Sequence, residues 1–211
     1  MAKGITRERI VAAALDLLDE DGMEGLTVRA LATRLEVRPP ALYWHLRNKQ
    51  ELLDEMSTTV MRRVSTALSQ TAPGAGWRED LAAYARILRT EFLNHRDGAR
   101  IFSGTRVADP EVVRAKEPWL ERWTAHGITL TDADDAIDVV VAFVVGFVIE
   151  EQERQSAHVD PERYSTTERD TWLGPDVPLV KEAGHLRDDG EQRFERHLGI
   201  VLDGLTARLS D

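Results

Sequence analysis

The residues best suited to contacting another molecule lie in one short stretch, residues 27–49. An arginine at position 38, a Tyr-Trp-His run at 43–45 and a lysine at 49 surround the segment Pro-Pro-Ala-Leu. Arginine and lysine donate hydrogen bonds to phosphates and guanine edges, and small side chains contact thymine methyl groups. A short helix of this composition after a tight turn predicts a helix-turn-helix that enters the major groove of DNA.

Within this stretch, Arg38 would reach a guanine edge or a phosphate, and Ala41 a thymine methyl group. The other predicted DNA contacts are Thr27, Arg29, Pro39, Tyr43, Trp44, His45 and Lys49. An aromatic cluster in the core of a helical protein is the alternative interpretation. Tyr43 and Trp44 are adjacent and differ by ~100° around a helix, so both cannot point fully inward. Spacing alone leaves the two interpretations open.

The elements that would position these residues are helices. Thr6 can cap a first helix that ends at Gly22, and Thr27 can cap a second. Glu36-Val37 forms the predicted turn, and a recognition helix covers residues 39–46, with a proline in its first turn. Asn48 followed by Glu51 resembles a capping box and would open a fourth helix over residues 49–69.

The rest of the chain also has helical periodicity, so we predict an all-α fold. QTAPGAG at 70–76 is the clearest break, and residues 156–188 read as a long loop with one short helix near 164–172. The apolar run at 139–149 could be a buried strand by composition, but its flanks favour a helix. Further helices are expected over residues 77–94, 97–102, 110–126, 131–155 and 190–209.

Composition limits the classes of function. The chain has 211 residues, a net charge of −10 and no cysteine, which excludes disulfides and Cys-ligated zinc. Residues 1–50 carry eight Lys/Arg and seven Asp/Glu, against 19 and 30 in residues 51–211. An acidic body with one locally basic end suits a small DNA-binding head. With no apolar signal core and no apolar run of ~18 residues, we expect a cytoplasmic protein without membrane contact.

Catalytic patterns are weak. The six histidines show no HExxH or other metal-ligand spacing, and no GxSxG, P-loop or GxGxxG motif occurs. The carboxylates of Glu150, Glu151 and Glu153 at a helix end are typical of solvated surface or capping. We therefore predict no catalytic residues, no metal site and no cofactor.

The run LTVRALATRLEVRPPALYWHLRNKQELLD resembles the DNA-binding head of the TetR-type repressors, and LYWH followed by NK resembles the tetracycline repressors in particular. HRDGARIFSGTR (95–106) and GFVIEEQER (146–154) are similar to segments of their core. The resemblance implies a homodimer that binds a near-palindromic operator and is released by a small-molecule effector that displaces the fourth helix. Its head would be residues 1–48, extending into the connecting helix 49–69, and its ligand-binding and dimerisation domain residues 49–211.

The resemblance also implies a ligand cavity around ten residues: Ser65, Tyr84, Leu88, Ile101, Phe102, Thr105, Arg106, Trp119, Ile137 and Glu150. Two of them depart from the tetracycline repressors, which have a magnesium-ligating histidine in place of Phe102 and an asparagine in place of Tyr84. A phenyl ring cannot bind a hard cation. We therefore expect an apolar or aromatic effector rather than a metal-chelated tetracycline.

A dimer interface is expected on two helices. Residues 139–149 are apolar on all sides of a helix, so a second face needs cover, and Gly146 permits close approach. The interface residues we predict are Val141, Val145, Phe147, Leu198, Val201 and Leu202. A fully buried central helix in a monomer is the alternative.

Two departures in the head leave the operator sequence open, because Glu36 stands where the family usually has Gly or Ala, and Arg38-Pro39 replaces base-reading residues. Two alternative functions also remain. One is a helical small-molecule-binding protein or enzyme with a non-functional head. The other is a ligand-sequestering or protein-interaction module.

Overall fold

The computed structural model describes residues 5–72, 74–155, 165–186 and 190–209, and all regular structure in these ranges is helical, which confirms the all-α prediction. None of the described helices is long and apolar enough to cross a bilayer. The helices are α1 (Arg7–Gly25), α2 (Val28–Arg34), α3 (Pro39–Leu42), α4 (Lys49–Ser69), α5 (Trp77–Leu93), α6 (Gly98–Phe102), α7 (Pro110–Arg114), α8 (Glu117–Ala125), α9 (Leu130–Gln155), α10 (Thr166–Leu173), α11 (Pro178–His185) and α12 (Gly190–Leu209).

Side-chain caps begin α1, α2 and α4 of the N-terminal unit, as predicted, whereas α3 has none. The Thr27 hydroxyl accepts a hydrogen bond from the backbone N–H of Ala30 (3.1 Å), and the Asn48 amide oxygen accepts one from Glu51 (2.8 Å). The Glu51 carboxylate accepts from the backbone N–H of Arg47 (2.7 Å), one residue before the donor that a capping box uses. This hydrogen bond is the main cause of the lowered pKa of Glu51.

The turn between α2 and α3 contains a residue in a strained conformation. Glu36 has a φ of 56°, in the left-handed region that costs a non-glycine residue about 1 kcal/mol. Hydrogen bonds hold the turn: the N–H of Glu36 donates to the Thr33 carbonyl (3.1 Å) and that of Val37 to the Ala32 carbonyl (3.0 Å).

Three predicted elements differ from the structure. The helix expected over 110–126 is two helices, because Pro118 in the first turn of α8 has no N–H to continue α7. Within the loop predicted over 156–188, the short helix expected near 164–172 is confirmed as α10, but the prediction missed α11; residues 156–164 and 187–189 lie outside the described residues. The recognition helix is α-helical only from Pro39 to Leu42, with a turn at 43–45.

Helix α4 packs against α1 on one side and against α5 on the other. Near its start, Arg7 of α1 forms ion pairs with Glu51 (3.0 Å) and Glu55 (2.6 Å) of α4. Further along, Met56 and Val64 are fully buried. The α1–α4 unit and the α5–α9 bundle are therefore joined by a continuous helix.

A second junction lies where the α5–α6 loop meets α1. His95 Nδ1 is 2.9 Å from Asp19 of α1, and His95 Nε2 is 2.7 Å from Arg63 of α4. Because a guanidinium only donates, Nε2 is the acceptor and Nδ1 carries the proton that it donates to Asp19. Asp97 accepts a hydrogen bond from the Met23 backbone N–H (2.9 Å), and Arg96 donates to the Glu20 carbonyl (2.9 Å), so this loop is attached to α1 at several points.

Asp80 of α5 holds the segment before its own helix against α8. Its side chain is buried, accepts hydrogen bonds from the indole N–H of Trp123 (2.8 Å) and the backbone N–H of Gly74 (3.0 Å), and pairs with Arg122. A carboxylate removed from water needs such partners. One side chain therefore fixes both the loop and the neighbouring helix.

Replacing Glu36 with glycine should stabilise the protein, because glycine adopts a positive φ without the steric cost. We expect Glu36→Gly to add about 0.5–1 kcal/mol and to raise Tm by roughly 1–4 °C. Calorimetry would measure the shift. Glu36→Ala is the control, since it removes the charge and keeps the strain. A Tm gain as large for alanine as for glycine would assign the effect to charge.

Replacing Asp80 with asparagine should destabilise the protein, because the Arg122 guanidinium loses its partner. The expected loss is about 2–3 kcal/mol, below that of a fully buried pair, since the Arg122 side chain is 30% exposed. Urea unfolding would show it as a lower midpoint. Glu79→Gln is the matched control: Glu79 is exposed and accepts from the Ala75 N–H (2.7 Å), so a loss below ~0.5 kcal/mol is expected. Equal losses for both variants would contradict this assignment.

Candidate functional site

The predicted DNA-contacting face carries cations that the fold does not use. Among the described residues, Arg29, Arg38 and Lys49 are exposed and have no ion-pair partner, whereas Arg34 pairs with Glu20 and Arg47 with Glu51. A surface arginine or lysine without a local carboxylate is available to a phosphate. The unpaired cations lie at the start of α2, before α3 and at the start of α4.

The aromatic residues of this stretch point outward. Trp44 is 88% exposed and Tyr43 is 55% exposed, so the interpretation as an aromatic core cluster was wrong. Thr27 and Pro39 are also exposed, and Ala41 and His45 are half-buried. The structure thus gathers the predicted DNA-contacting residues on one unit of α1–α4, and their individual roles stay predictions.

Arg7 positions the recognition element and was missed from the sequence. Its guanidinium donates to the backbone carbonyl of His45 (2.7 Å), just after α3, and also binds Glu51 and Glu55. The hydrogen bond to Glu55 is the main cause of the raised pKa of Arg7. No local pattern could reveal this role, because it joins positions 38 residues apart.

A cavity of about 310 Å³ lies between α4, α5, α8 and α9. Four residues of the predicted ligand set line it: Ser65, Tyr84, Phe102 and Trp119. The Tyr84 and Trp119 rings meet edge to face, 5.5 Å apart, and Phe102 packs against Phe92 at 5.3 Å. A further cavity of about 640 Å³ shares Ser65 and Trp119. The volumes and mostly apolar walls suit a small organic molecule.

The other six predicted ligand residues do not line this cavity. Leu88, Ile101 and Ile137 are fully buried in the surrounding core. Thr105 and Arg106 lie in the loop after α6, where the Thr105 hydroxyl donates to the Phe102 carbonyl (2.8 Å). Glu150 is exposed on α9. Their roles remain untested predictions.

Sequence reasoning missed much of the lining. Met61, Val64 and Leu68 join Ser65 on one stripe of α4, a spacing that could have identified them. Two charged residues, Lys116 and Asp138, have no comparable signal because their placement depends on how α8 and α9 pack. The remaining lining residues are Val107, Val112, Val113, Ala115 and Val141.

Tyr84 places a polar group in this apolar cavity. Its side chain is 5% exposed, and its hydroxyl has no hydrogen-bond partner in the part of the chain that the structure describes. Burial, with a smaller contribution from the Asp138 carboxylate, raises the pKa of Tyr84 to about 12. The hydroxyl therefore stays protonated at neutral pH and can donate a hydrogen bond.

One face of α4 is hydrogen-bonded to the loop that closes the cavity. Gln50, Asp54, Thr58 and Arg62 are four residues apart and contact residues 104–109. The contacts are Gln50 Nε2 to the Gly104 carbonyl (3.3 Å), the Arg106 N–H to Asp54 (3.1 Å), the Ala108 N–H to Thr58 (2.8 Å) and Arg62 Nε to Asp109 (2.6 Å). We call this row the α4 ladder.

The predicted dimer residues lie on α9 and α12 as expected, but their environments differ. Leu198 and Leu202 are buried within the chain itself, and Val141 lines the cavity. Val145, Phe147 and Val201 are half-buried. Apolar surface remains on both helices, at Val139 (47% exposed) and Ile200 (65%).

The acidic and histidine side chains do not form a metal site in the described ranges, where no three of them are grouped to hold an ion. Glu151, one of the three carboxylates that we expected on solvated surface or as a cap, is instead buried in an ion pair with Arg89 (2.6 Å). Such pairing gives it a structural role in joining α5 and α9.

Comparison with known proteins agrees with this arrangement. Residues 10–56 match the family described as bacterial regulatory proteins, tetR family, and residues 70–209 match the tetracyclin repressor-like C-terminal domain. The tetracycline repressor protein class A from transposon 1721 of Escherichia coli is 39% identical over 94% of this chain and 89% of its own length.

Solved structures extend the similarity to both halves of the fold. ActR of Streptomyces coelicolor in complex with actinorhodin has a TM-score of 0.81 and 28% identity, covering 99% of this chain and 100% of that chain. BioQ with its natural double-stranded DNA operator has a TM-score of 0.65 and 30% identity, covering 96% and 99%. With matches to both domains and a relative of this identity, the chain belongs to the TetR family of bacterial regulatory proteins.

Proposed function

We propose that this protein is a homodimeric transcriptional repressor that binds a near-palindromic operator through α2 and α3 and releases it when a small apolar or aromatic effector fills the α4–α9 cavity. The observation that carries the proposal is the outward face of the helix-turn-helix. It combines unpaired cations at Arg29, Arg38 and Lys49 with a tryptophan, Trp44, that is 88% exposed. Such cations are typical donors to DNA phosphates, and so is the hydroxyl of the neighbouring Tyr43.

The domain organisation follows from this division of roles. We assign residues 1–48 to the DNA-binding head, which continues into α4, and residues 49–211 to the ligand-binding and dimerisation domain. In the dimer, apolar surface on α9 and α12, including Val139 and Ile200, would be covered by the partner. Two heads would then enter successive major grooves ~34 Å apart. The protein would act in the cytoplasm, where the operator is, and we assign it no catalytic step.

The α4 ladder supports release of DNA by an effector. Val107, within the loop that the ladder binds, and Phe102, just before that loop, both line the cavity. A ligand that displaces this loop would pull Asp54 and Thr58 with it. Because α4 begins beside the recognition element, at Asn48, a shift of the helix changes the position of the head. A ligand shifts such an equilibrium only by its difference in affinity for the two positions.

The effector we expect is not a metal-chelated tetracycline. Phe102 offers no ligand atom for a metal at the position where it lines the cavity. Aromatic stacking on Trp119, Tyr84 or Phe102 is available instead. The related ActR binds actinorhodin, and an organic effector of comparable character would suit this lining.

Loss of the unpaired cations should weaken operator binding without unfolding the head. We expect Arg38→Ala and Lys49→Ala each to weaken binding and to lower the salt-dependence slope by about one. The triple replacement of Arg38, Tyr43 and Lys49 by alanine should abolish specific binding. Mobility-shift titrations with DNA flanking the protein's own gene, at several salt concentrations, measure both quantities.

The control is Arg114→Ala. Arg114 lies on α7, outside the DNA-binding head, and its side chain is 71% exposed, so its replacement should leave operator affinity unchanged. Unchanged Tm and circular dichroism would show that the triple variant folds. Wild-type protein that binds this DNA no better than random duplex would refute the repressor function. Full operator binding by the triple variant would favour a module whose head does not act through these residues.

A further inference from the structure

Two opposite charges line the otherwise apolar cavity. Asp138 lies on α9, and Lys116 immediately precedes α8. Neither has an ion-pair partner among the residues with described positions. A charge at the wall of an apolar cavity loses hydration when a ligand enters, so the ligand must replace that hydration.

Of the two charges, Asp138 is the fixed one. Its side chain is exposed at the edge of the cavity, and its carboxylate is held near the wall because one methylene group joins it to the helix. Lys116 has a flexible four-carbon stem, so its ammonium can reach solvent while the stem covers apolar surface. A bound ligand can therefore avoid Lys116 but must accommodate Asp138.

The surroundings of Asp138 add to its preference for a cation. The first half of α9 also carries Asp132, Asp134 and Asp135, and the helix has no Lys or Arg before Arg154. Asp132 pairs with Arg208 (3.3 Å), whereas Asp134, Asp135 and Asp138 have no ion-pair partner among the described residues. Charges of one sign along a cleft raise the local concentration of oppositely charged ligands.

Tyr84 supplies a second polar group to the same cavity. The residue is 5% exposed, and its hydroxyl has no hydrogen-bond partner among the described residues. Asp138 lines the same cavity, and its carboxylate makes the smaller contribution to the raised pKa of Tyr84. A donor that finds no partner in the folded chain is satisfied by an acceptor on a ligand.

We propose that the effector is an aromatic molecule carrying a basic amine, whose ammonium group pairs with Asp138 while a nearby oxygen accepts the Tyr84 hydroxyl proton in a hydrogen bond. The proposal rests on the proposed function and narrows its effector from apolar molecules in general to amine-bearing ones. Trp119 and Phe102 would hold the aromatic part.

A set of three probes with one ring system tests the charge preference: naphthylmethylamine, naphthylmethanol and naphthylacetate. Binding to the full-length protein is measured by calorimetry and by quenching of tryptophan fluorescence. Wild-type protein should bind the amine about fivefold more tightly than the alcohol, and the acetate less tightly than the amine. Asp138→Asn should remove the preference of the amine over the alcohol, and Tyr84→Phe should weaken the alcohol.

Two variants serve as controls. Asp134→Asn removes a charge one turn away that does not line the cavity, and it should retain most of the amine preference. Lys116→Met should weaken the acetate and not the amine. An amine preference that survives Asp138→Asn, or no measurable binding of any probe, would overturn the proposal.

Operator binding by the wild-type protein, measured in parallel, separates this inference from the function on which it rests. If the protein binds the operator specifically but binds the three probes equally well, only the proposal that the effector carries a basic amine is refuted. Absence of operator binding would refute the repressor function, whatever the probes do.

Discussion

Helix α4 packs against both the DNA-binding head and the ligand-binding domain, and the rest of the structure depends on this double packing. Its first turns are held to α1 by Arg7, and its later turns bury Met56 and Val64 and line the cavity. A helix of 21 residues is about 31 Å long and stiff, so the two ends cannot move independently. Coupling between the DNA-binding face and the cavity therefore needs no additional device beyond the packing of this helix.

The distribution of ion pairs separates structure from function. Three arginines join helices through ion pairs with carboxylates: Arg7, Arg89 and Arg122. Replacing any of them should lower the free energy of unfolding. Arg29, Arg38 and Lys49 contribute no such contact in the described chain, so the fold gives no reason for their presence. An intermolecular partner does, and in a chain of net charge −10 that partner is most readily a phosphate backbone.

Local signals explain what could be predicted from the sequence. Thr27 and Asn48 cap helices because their short polar side chains reach backbone N–H groups three residues on, a contact that needs no tertiary structure. The short helix expected near 164–172 is α10, whereas α11 was missed because it is only eight residues long and its large apolar side chains are exposed, with Leu179 76% and Val180 54% exposed. Asp138 was missed for another reason: its place at the edge of the cavity depends on how α5 and α8 pack beside α9, which no local pattern shows.

The α4 ladder has a consequence for how such a repressor can diverge. Gln50, Asp54 and Thr58 bind main-chain groups at positions 104, 106 and 108. Gly104 has a φ of 78°, which favours glycine, whereas at 106 and 108 any residue other than proline supplies the N–H. Side chains in this loop can therefore be exchanged while the attachment to α4 is kept. Mutations in this loop could then change which effector binds the cavity while the hydrogen bonds between α4 and the loop are kept. Repressors with the same contact between cavity and α4 could in this way come to bind different effectors.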